Sequence, residues 1–230
     1  MASGALDIEL AGERLVMLPQ RALYWPALQL LVIADIHFGK AASFRAGGIP
    51  VPRGTTTENL RALDALLDTC QATHVLFLGD FLHARHAHAA ATVTAMMAWR
   101  EQRSGLKLTL VRGNHDRHAG DPPATLRIDV VDEPWQIGRL LFAHHPQSHP
   151  NGYVLAGHVH PVYRLATRGD VLRLPCFVFG PESGILPSFG SFTGGHPVAP
   201  EPKDRVFVVT NDSVMEVPVA RIGLARHRRG

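Results

Sequence analysis

Short runs of apolar residues recur along the chain, each closing on a polar cluster. LQLLVIA runs into Asp35, HVLFLG into Asp80, LKLTLVRG into Asn114, RLLFA into His144 and GYVLAG into His158. Runs this short and this continuously apolar are the mark of strands covered on both faces. Between the first two, Leu60, Leu63, Leu66 and Leu67 recur at helical spacing. Thr55 and Glu58 have the form of a capping box ahead of them, so the pattern predicts a helix over 55–70. The Ala-rich stretch 86–103, with Met96, Met97 and Trp99, predicts a second helix, with His86 and His88 on its surface. Alternating strand and helix is the pattern of an α/β fold. After Pro161 the helical periodicity fades. RVFVVTND followed by SVMEVPV predicts a hairpin, and the last third reads as strands and loops. FVFGPESGILPSFGSF, around Phe177 to Phe192, is read as core packing rather than a contact surface.

No repeat, low-complexity block or Ser/Gly linker divides the sequence, so it is read as a single domain over 1–220 with a basic tail over 221–230. Composition agrees: 230 residues with 46% hydrophobic side chains can close a full core, which excludes intrinsic disorder as the main state. The net charge of +3 resides in the tail. Arg221, Arg226, Arg228 and Arg229 stand there without an acid, while the preceding 220 residues carry 19 basic and 20 acidic side chains. A tail of this kind is read as a flexible end that either solubilises the chain or helps hold a polyanion. Two distant cysteines, Cys70 and Cys176, suggest neither a disulfide framework nor a thiolate zinc cage. With no export signal and no apolar stretch long enough to span a bilayer, the expected compartment is the cytoplasm, with no membrane partner.

The least ordinary feature is 14 histidines, more than twice the usual share. Their positions explain the excess. In α/β sheets ligands bind beyond the carboxyl ends of the strands, and five such ends carry Asp35 with His37, Asp80, Asn114 with His115 and Asp116, His144 with His145, and His158 with His160. Each pair alone reads as turn chemistry. Five in succession point to a metal site, because independent turns have no reason to choose ligand residues every time. Carboxylate, imidazole and amide oxygen without thiolate suit manganese, iron or zinc.

The order Asp35-x-His37, Gly79-Asp80, Gly113-Asn114-His115-Asp116, a strand-terminal His, then Gly157-His158-x-His160 resembles the calcineurin-like metallophosphoesterase superfamily. ALYWPA near Leu23, FGKAASFRAGGIPVPRGTT, GYVLAGHVHP, LPCFVFG and FGSFTGG are most similar to its ligase-associated DNA damage response endonuclease branch. The resemblance implies a four-layer α/β/β/α sandwich: two mixed β-sheets face to face, flanked by helices. It also implies two divalent ions, with manganese preferred over iron or zinc. Carried over residue by residue, Asp35, His37, Asp80 and His160 would hold one ion, and Asp80, Asn114, His144 and His158 the other, with Asp80 as the bridge. The sequence offers both His144 and His145 as strand-terminal ligand. The family pattern, which puts the ligand directly after the strand and two residues before a proline, favours His144.

Two ions so placed clamp a phosphodiester and supply a hydroxide for in-line displacement. His115 matches the position that stabilises the phosphoryl oxygens or protonates the leaving group, with Asp116 orienting it. Lys40, Arg45, Arg112 and Arg117 are candidates for holding phosphate, and His83 and His145 for orienting ligands. The leading expectation is a metal-dependent phosphodiesterase cutting nucleic acid, a DNA endonuclease in repair, whose partners would be proteins such as a DNA ligase, helicase or exonuclease. The alternatives are a diesterase or phosphatase for small molecules such as cyclic nucleotides, and a metal-binding scaffold without turnover. No ligand position or motif histidine is substituted, which favours an enzyme.

Overall fold

The structure is a computed structural model that describes residues 3–51, 54–166, 171–190 and 193–218. The basic tail, 221–230, lies outside the described residues. The strands β1 (Leu6–Leu10), β2 (Glu13–Leu18), β3 (Ala22–Trp25), β4 (Leu30–Ala34), β5 (His74–Leu78), β6 (Lys107–Val111) and β7 (Asp129–Val131) pair in chain order into one sheet. The first four are antiparallel neighbours, and β4 to β7 run parallel. The second sheet is built from β8 (Trp135–Ile137), β9 (Leu140–Ala143), β10 (Tyr153–Ala156), β11 (Pro161–Ala166), β12 (Val171–Phe179), β13 (Ser183–Ile185), β14 (His196–Pro197), β15 (Arg205–Val209) and β16 (Val214–Val217). Its order is β14-β11-β12-β13-β10-β9-β8, and the β15–β16 hairpin, as the sequence predicts, joins at β12.

Every strand predicted from an apolar run is present, and the reason it is so continuously apolar is visible. In β4, Leu31 and Ile33 face a helical layer, while Leu30, Val32 and Ala34 face the other sheet. Between the sheets they meet Phe142, Leu155, Phe177 and Phe207. Phe177, Phe179, Leu186 and Phe189 are buried, so the Gly/Pro-rich segment belongs to the core.

The helices are α1 (Lys40–Ala46), α2 (Thr55–Cys70), α3 (Ala90–Gln102) and the short α4 (Asn114–Ala119). The leucines predicted to form one face of α2 are buried against the first sheet beside Met96 and Trp99 of α3. Among the described residues no α-helix follows α4. The outer face of the second sheet is covered instead by Leu174 and Val198 packed on Cys176, Val178 and Val208.

Local readings are corrected in three places. The capping box at Thr55 does not form, because Gly54, in the left-handed region at φ 100°, takes the cap position and makes Thr55 the first helical residue. The second helix begins at Ala90 rather than His86: Ala89 is non-helical at ψ 136°, and Arg85–His88 form a separate 3-10 turn. The segment from Gly39 to Gly54 after the first motif, whose glycines and prolines read as a loop, folds into the seven-residue α1 over part of its length. The strands β1 to β3 extend the first sheet at its antiparallel end.

Candidate metal centre

In-register parallel pairing brings the motifs together. Ala34 pairs with Leu78 and Leu78 with Val111, so Asp35, Asp80 and Asn114 leave the first sheet along one edge. Ala143 pairs with Ala156, which sends His144 and His158 off the second sheet. The edges are stitched where Ala34 bridges Ser188, whose hydroxyl donates to the Asp35 carbonyl at 2.8 Å. The turns are tight and strained: Asp35, His37, Asp80, His158 and His160 all have φ between 46° and 67°. Such backbone is costly for any residue but glycine, though Asp and His adopt it more often than most, and it clusters at functional sites. The glycines ahead of them make room for one another's side chains. A Cβ on Gly157 would lie 2.7 Å from Asp35 Oδ2, and one on Gly79 would collide with the His144 ring.

Two groups of side chains converge, joined by Asp80. On one side His37 Nε2 lies 3.3 Å from His160 Nε2, 3.7 Å from Asp80 Oδ2, and His160 Nε2 lies 3.6 Å from Asp35 Oδ2. On the other, His144 Nε2 lies 2.7 Å from Asn114 Oδ1, 3.0 Å from His158 Nδ1 and 3.4 Å from Asp80 Oδ1. The two oxygens of Asp80 thus face different imidazoles. Hydrogen bonds behind the rings set their tautomers. His144 Nδ1–H donates to the Leu78 carbonyl at 3.1 Å and His160 Nδ1–H to the Gly194 carbonyl at 3.1 Å, leaving each Nε2 lone pair aimed inward. Burial pushes the pKa of His37 and His144 down, so both stay neutral and able to ligate. Burial is the largest effect on His160 and pulls the same way, but the Asp35 carboxylate and the Gly194 carbonyl together outweigh it and leave the pKa raised. Burial also raises Asp80, against the pull of His115.

Lone pairs packed this closely repel unless a cation sits among them, and Asp35 Oδ1 is buried without any hydrogen-bond partner. The donor set fits divalent metal. Ligating atoms lie within 4.8 Å of one another in three groups: Asp35, His37 and His160; Asp35, Asp80 and His144; and His144, His145 and His158.

The family model described as calcineurin-like phosphoesterase matches residues 28–175. The chain belongs to this family. It is similar to the solved nuclease MPE of Pseudomonas putida, with 45% identity over 93% of this chain and 100% of that one, at a TM-score of 0.83. Weaker likenesses are to a protein of unknown function from Aquifex aeolicus (20% identity, 57% and 78% covered, TM-score 0.39) and the phosphoesterase YfcE of E. coli (16%, 83% and 98%, TM-score 0.39). No curated protein matches the sequence.

Within this phosphoesterase the remaining candidates separate. His144 is fully buried with Nε2 in the cluster, whereas the His145 side chain is 45% exposed and holds Glu133 at 2.8 Å. Glu133, which carried no signal in the sequence, also accepts the backbone N–H groups of both histidines at 2.8 and 2.9 Å, fixing the turn that aims them. His115 is the second residue of α4; its Nδ1–H donates to the His83 carbonyl at 2.7 Å, and its Nε2 stands 3.9 Å from Asp80 Oδ2. His83 stacks on His115 and puts Nδ1 3.4 Å from His37 Nδ1, between a candidate ligand and the candidate acid.

Asp116 does not orient His115. Its oxygens accept the N–H groups of Leu82 and Gly113 at 2.9 and 3.0 Å, so it braces the two motif loops against each other, and burial raises its pKa to about 6. The geometry of α4, with Asp116 as its third residue reaching back to Gly113, is the signal the strand-end reading passed over.

Arg112 is committed elsewhere, its fork bonded to Asp121 at 2.9 and 3.0 Å and to Asp132 at 2.6 Å. Arg45 is exposed and reaches the Val51 carbonyl, and Arg117 is exposed on α4. Lys40 is the basic candidate that faces the cluster. Burial lowers its pKa, and Asp80 and Asp35 oppose that.

Proposed function

We propose that the chain is a metal-dependent phosphodiesterase that cuts nucleic acid, with DNA as substrate, in a repair setting. The observation that carries the reading is the Asp80 carboxylate, whose two oxygens face separate imidazole groups. The likeness to a nuclease over nearly the whole of both chains supports the substrate class. Asp35, His37, Asp80 and His160 would hold one ion, and Asp80, Asn114, His144 and His158 the second. Manganese is the ion the family resemblance favours, and this thiolate-free set of carboxylate, imidazole and amide donors accepts iron or zinc as well. Divalent ions held there supply Lewis acidity to the phosphodiester and activate the attacking water.

The chain's own part is positional. His115 is 39% exposed at the side chain, so substrate reaches it, and the His83 carbonyl keeps its Nε2 toward the cluster. As the imidazolium, with a proton on each nitrogen, it would give the Nε2 proton to the leaving oxygen or neutralise charge on the phosphoryl group. Lys40 adds a positive charge beside the cluster. The catalytic unit is a single domain over 1–220 working in the cytoplasm beside a DNA ligase, helicase or exonuclease. No described helix is long and apolar enough to cross a membrane.

The test is a substrate panel in manganese: supercoiled plasmid, single-stranded DNA, a cyclic nucleotide and bis-para-nitrophenyl phosphate, with Asp80→Ala as control. Manganese-dependent nicking that Asp80→Ala abolishes is expected. Hydrolysis of the small ester with all DNA left intact replaces the nuclease with a small-molecule diesterase. Protein that takes up no metal and cleaves nothing is a scaffold.

A further inference from the structure

Arg21 closes the three-residue loop between β2 and β3, its N–H donating to the Leu18 carbonyl at 3.0 Å. Its φ is 63°, in the left-handed region that hairpin loops of this length normally give to glycine or asparagine. A long cationic side chain occupies that position instead. The side chain is half-buried, and burial lowers its pKa with no acid opposing the shift. Among the described residues it has no carboxylate and no hydrogen-bond acceptor. A half-dry guanidinium without a partner is unfavourable, and local strain adds to the cost, so the arrangement is one that a ligand would relieve.

The location identifies the ligand. Arg21 lies on the wall shared by two adjoining cavities. The smaller, about 50 Å³, it lines together with His160 of the metal centre and Gly194. The larger, about 700 Å³, it lines with Arg173 and, from the first turns of α2, Glu58 and Asn59. The charged side chains along this path are therefore two arginines and one glutamate. We propose that Arg21 binds a backbone phosphate of the nucleic-acid strand next to the bond being cut, and that the strand passes His160 and runs on along the larger cavity. The proposal rests on the nuclease reading above and deepens it. An arginine fork takes two phosphate oxygens at once, and contacts of this kind set register and grip without reading sequence.

Arg21→Gly tests it, because glycine suits the backbone there and removes only the side chain. The measurements are melting temperature, KM for a single-stranded oligonucleotide in manganese across a salt series, and turnover of bis-para-nitrophenyl phosphate, which has no neighbouring phosphate. Three results are expected. The variant melts at or above the wild-type temperature. The ratio of oligonucleotide to small-diester efficiency falls roughly tenfold. The slope of log affinity against log salt shrinks by about one, with Arg21→Lys recovering part of the loss. An unchanged ratio and slope overturn the proposal. A lower melting temperature with both substrates slowed alike makes Arg21 a structural residue. Wild-type protein that cleaves the small diester but neither binds nor cuts the oligonucleotide overturns the nuclease reading and Arg21 with it, a result distinct from a wild type and variant that cut equally well.

Discussion

Replacing Gly79 with alanine asks whether the glycine ahead of Asp80 is there to admit His144. Gly79 has φ +74°, and a methyl on it would overlap Nδ1, Cγ and Cβ of the His144 side chain. The backbone conformation alone costs an L residue roughly 1–2 kcal/mol. Relieving the overlap needs the imidazole to retreat by about 1 Å, a displacement that costs roughly 10²-fold in rate when it moves a group at the reacting centre. The retreat also breaks the 3.1 Å bond from His144 Nδ1–H to the Leu78 carbonyl. Losing that bond where the carbonyl stays buried adds about 1–3 kcal/mol. Combined, these costs imply a stability loss of about 2–5 kcal/mol, a fall in Tm on the order of 10 °C for a domain of this size. Gly12→Ala is the matched control, because Gly12 has φ +84° with nothing within 4 Å of its added Cβ. Calorimetry and manganese-supported hydrolysis of bis-para-nitrophenyl phosphate read the two effects separately. Both variants should lose the backbone increment, but only Gly79→Ala should melt further and lose about two orders of magnitude in hydrolysis. If Gly79→Ala melts and hydrolyses like Gly12→Ala, the packing argument is refuted.

Two further outcomes follow from the same geometry. His115→Ala should keep its metal content, read by elemental analysis, while hydrolysis drops roughly 10²- to 10⁴-fold; loss of metal would make it a ligand instead. His74, far from the centre, donates or accepts at Thr109 Oγ1 over 2.9 Å, and its pKa is pushed down to about 4 by burial and by Lys107. Because the folded state takes up this proton only near pH 4 and the unfolded chain near 6.5, stability is full above 6.5 and declines as pH falls toward 4. Urea unfolding of His74→Gln should show a shallower decline across that window than wild type, and parallel curves would contradict the assignment.

The strands β4, β5, β6, β9 and β10 and the helix α2 were legible because their information is local: unbroken apolar runs and a leucine face need no knowledge of the rest of the chain. The residue types of the candidate metal centre were legible for the same reason, since each motif follows closely on such a run. Roles decided by partners distant in sequence were not. Arg112 and Arg21 look equally available as cations along the chain, yet one is spent on Asp121 and Asp132 and the other is half-buried with no acid beside it among the described residues. Asp116 beside His115 reads as its partner, but its carboxylate goes to Leu82, 34 residues away. Adjacent in sequence, His144 and His145 differ in their partners, the Leu78 carbonyl for one ring and Glu133 for the other.

The sequence by itself therefore determined the α/β framework, the donor chemistry and the order in which the donors arrive. Tertiary structure decided which of them meet. Parallel register sets Asp35, Asp80 and Asn114 side by side, and packing of one sheet edge on the other brings the N–H of His158 to Asp35 Oδ2 at 2.9 Å across 123 residues. Distances of that kind are fixed by how two sheets share a core, which no local pattern of residues encodes.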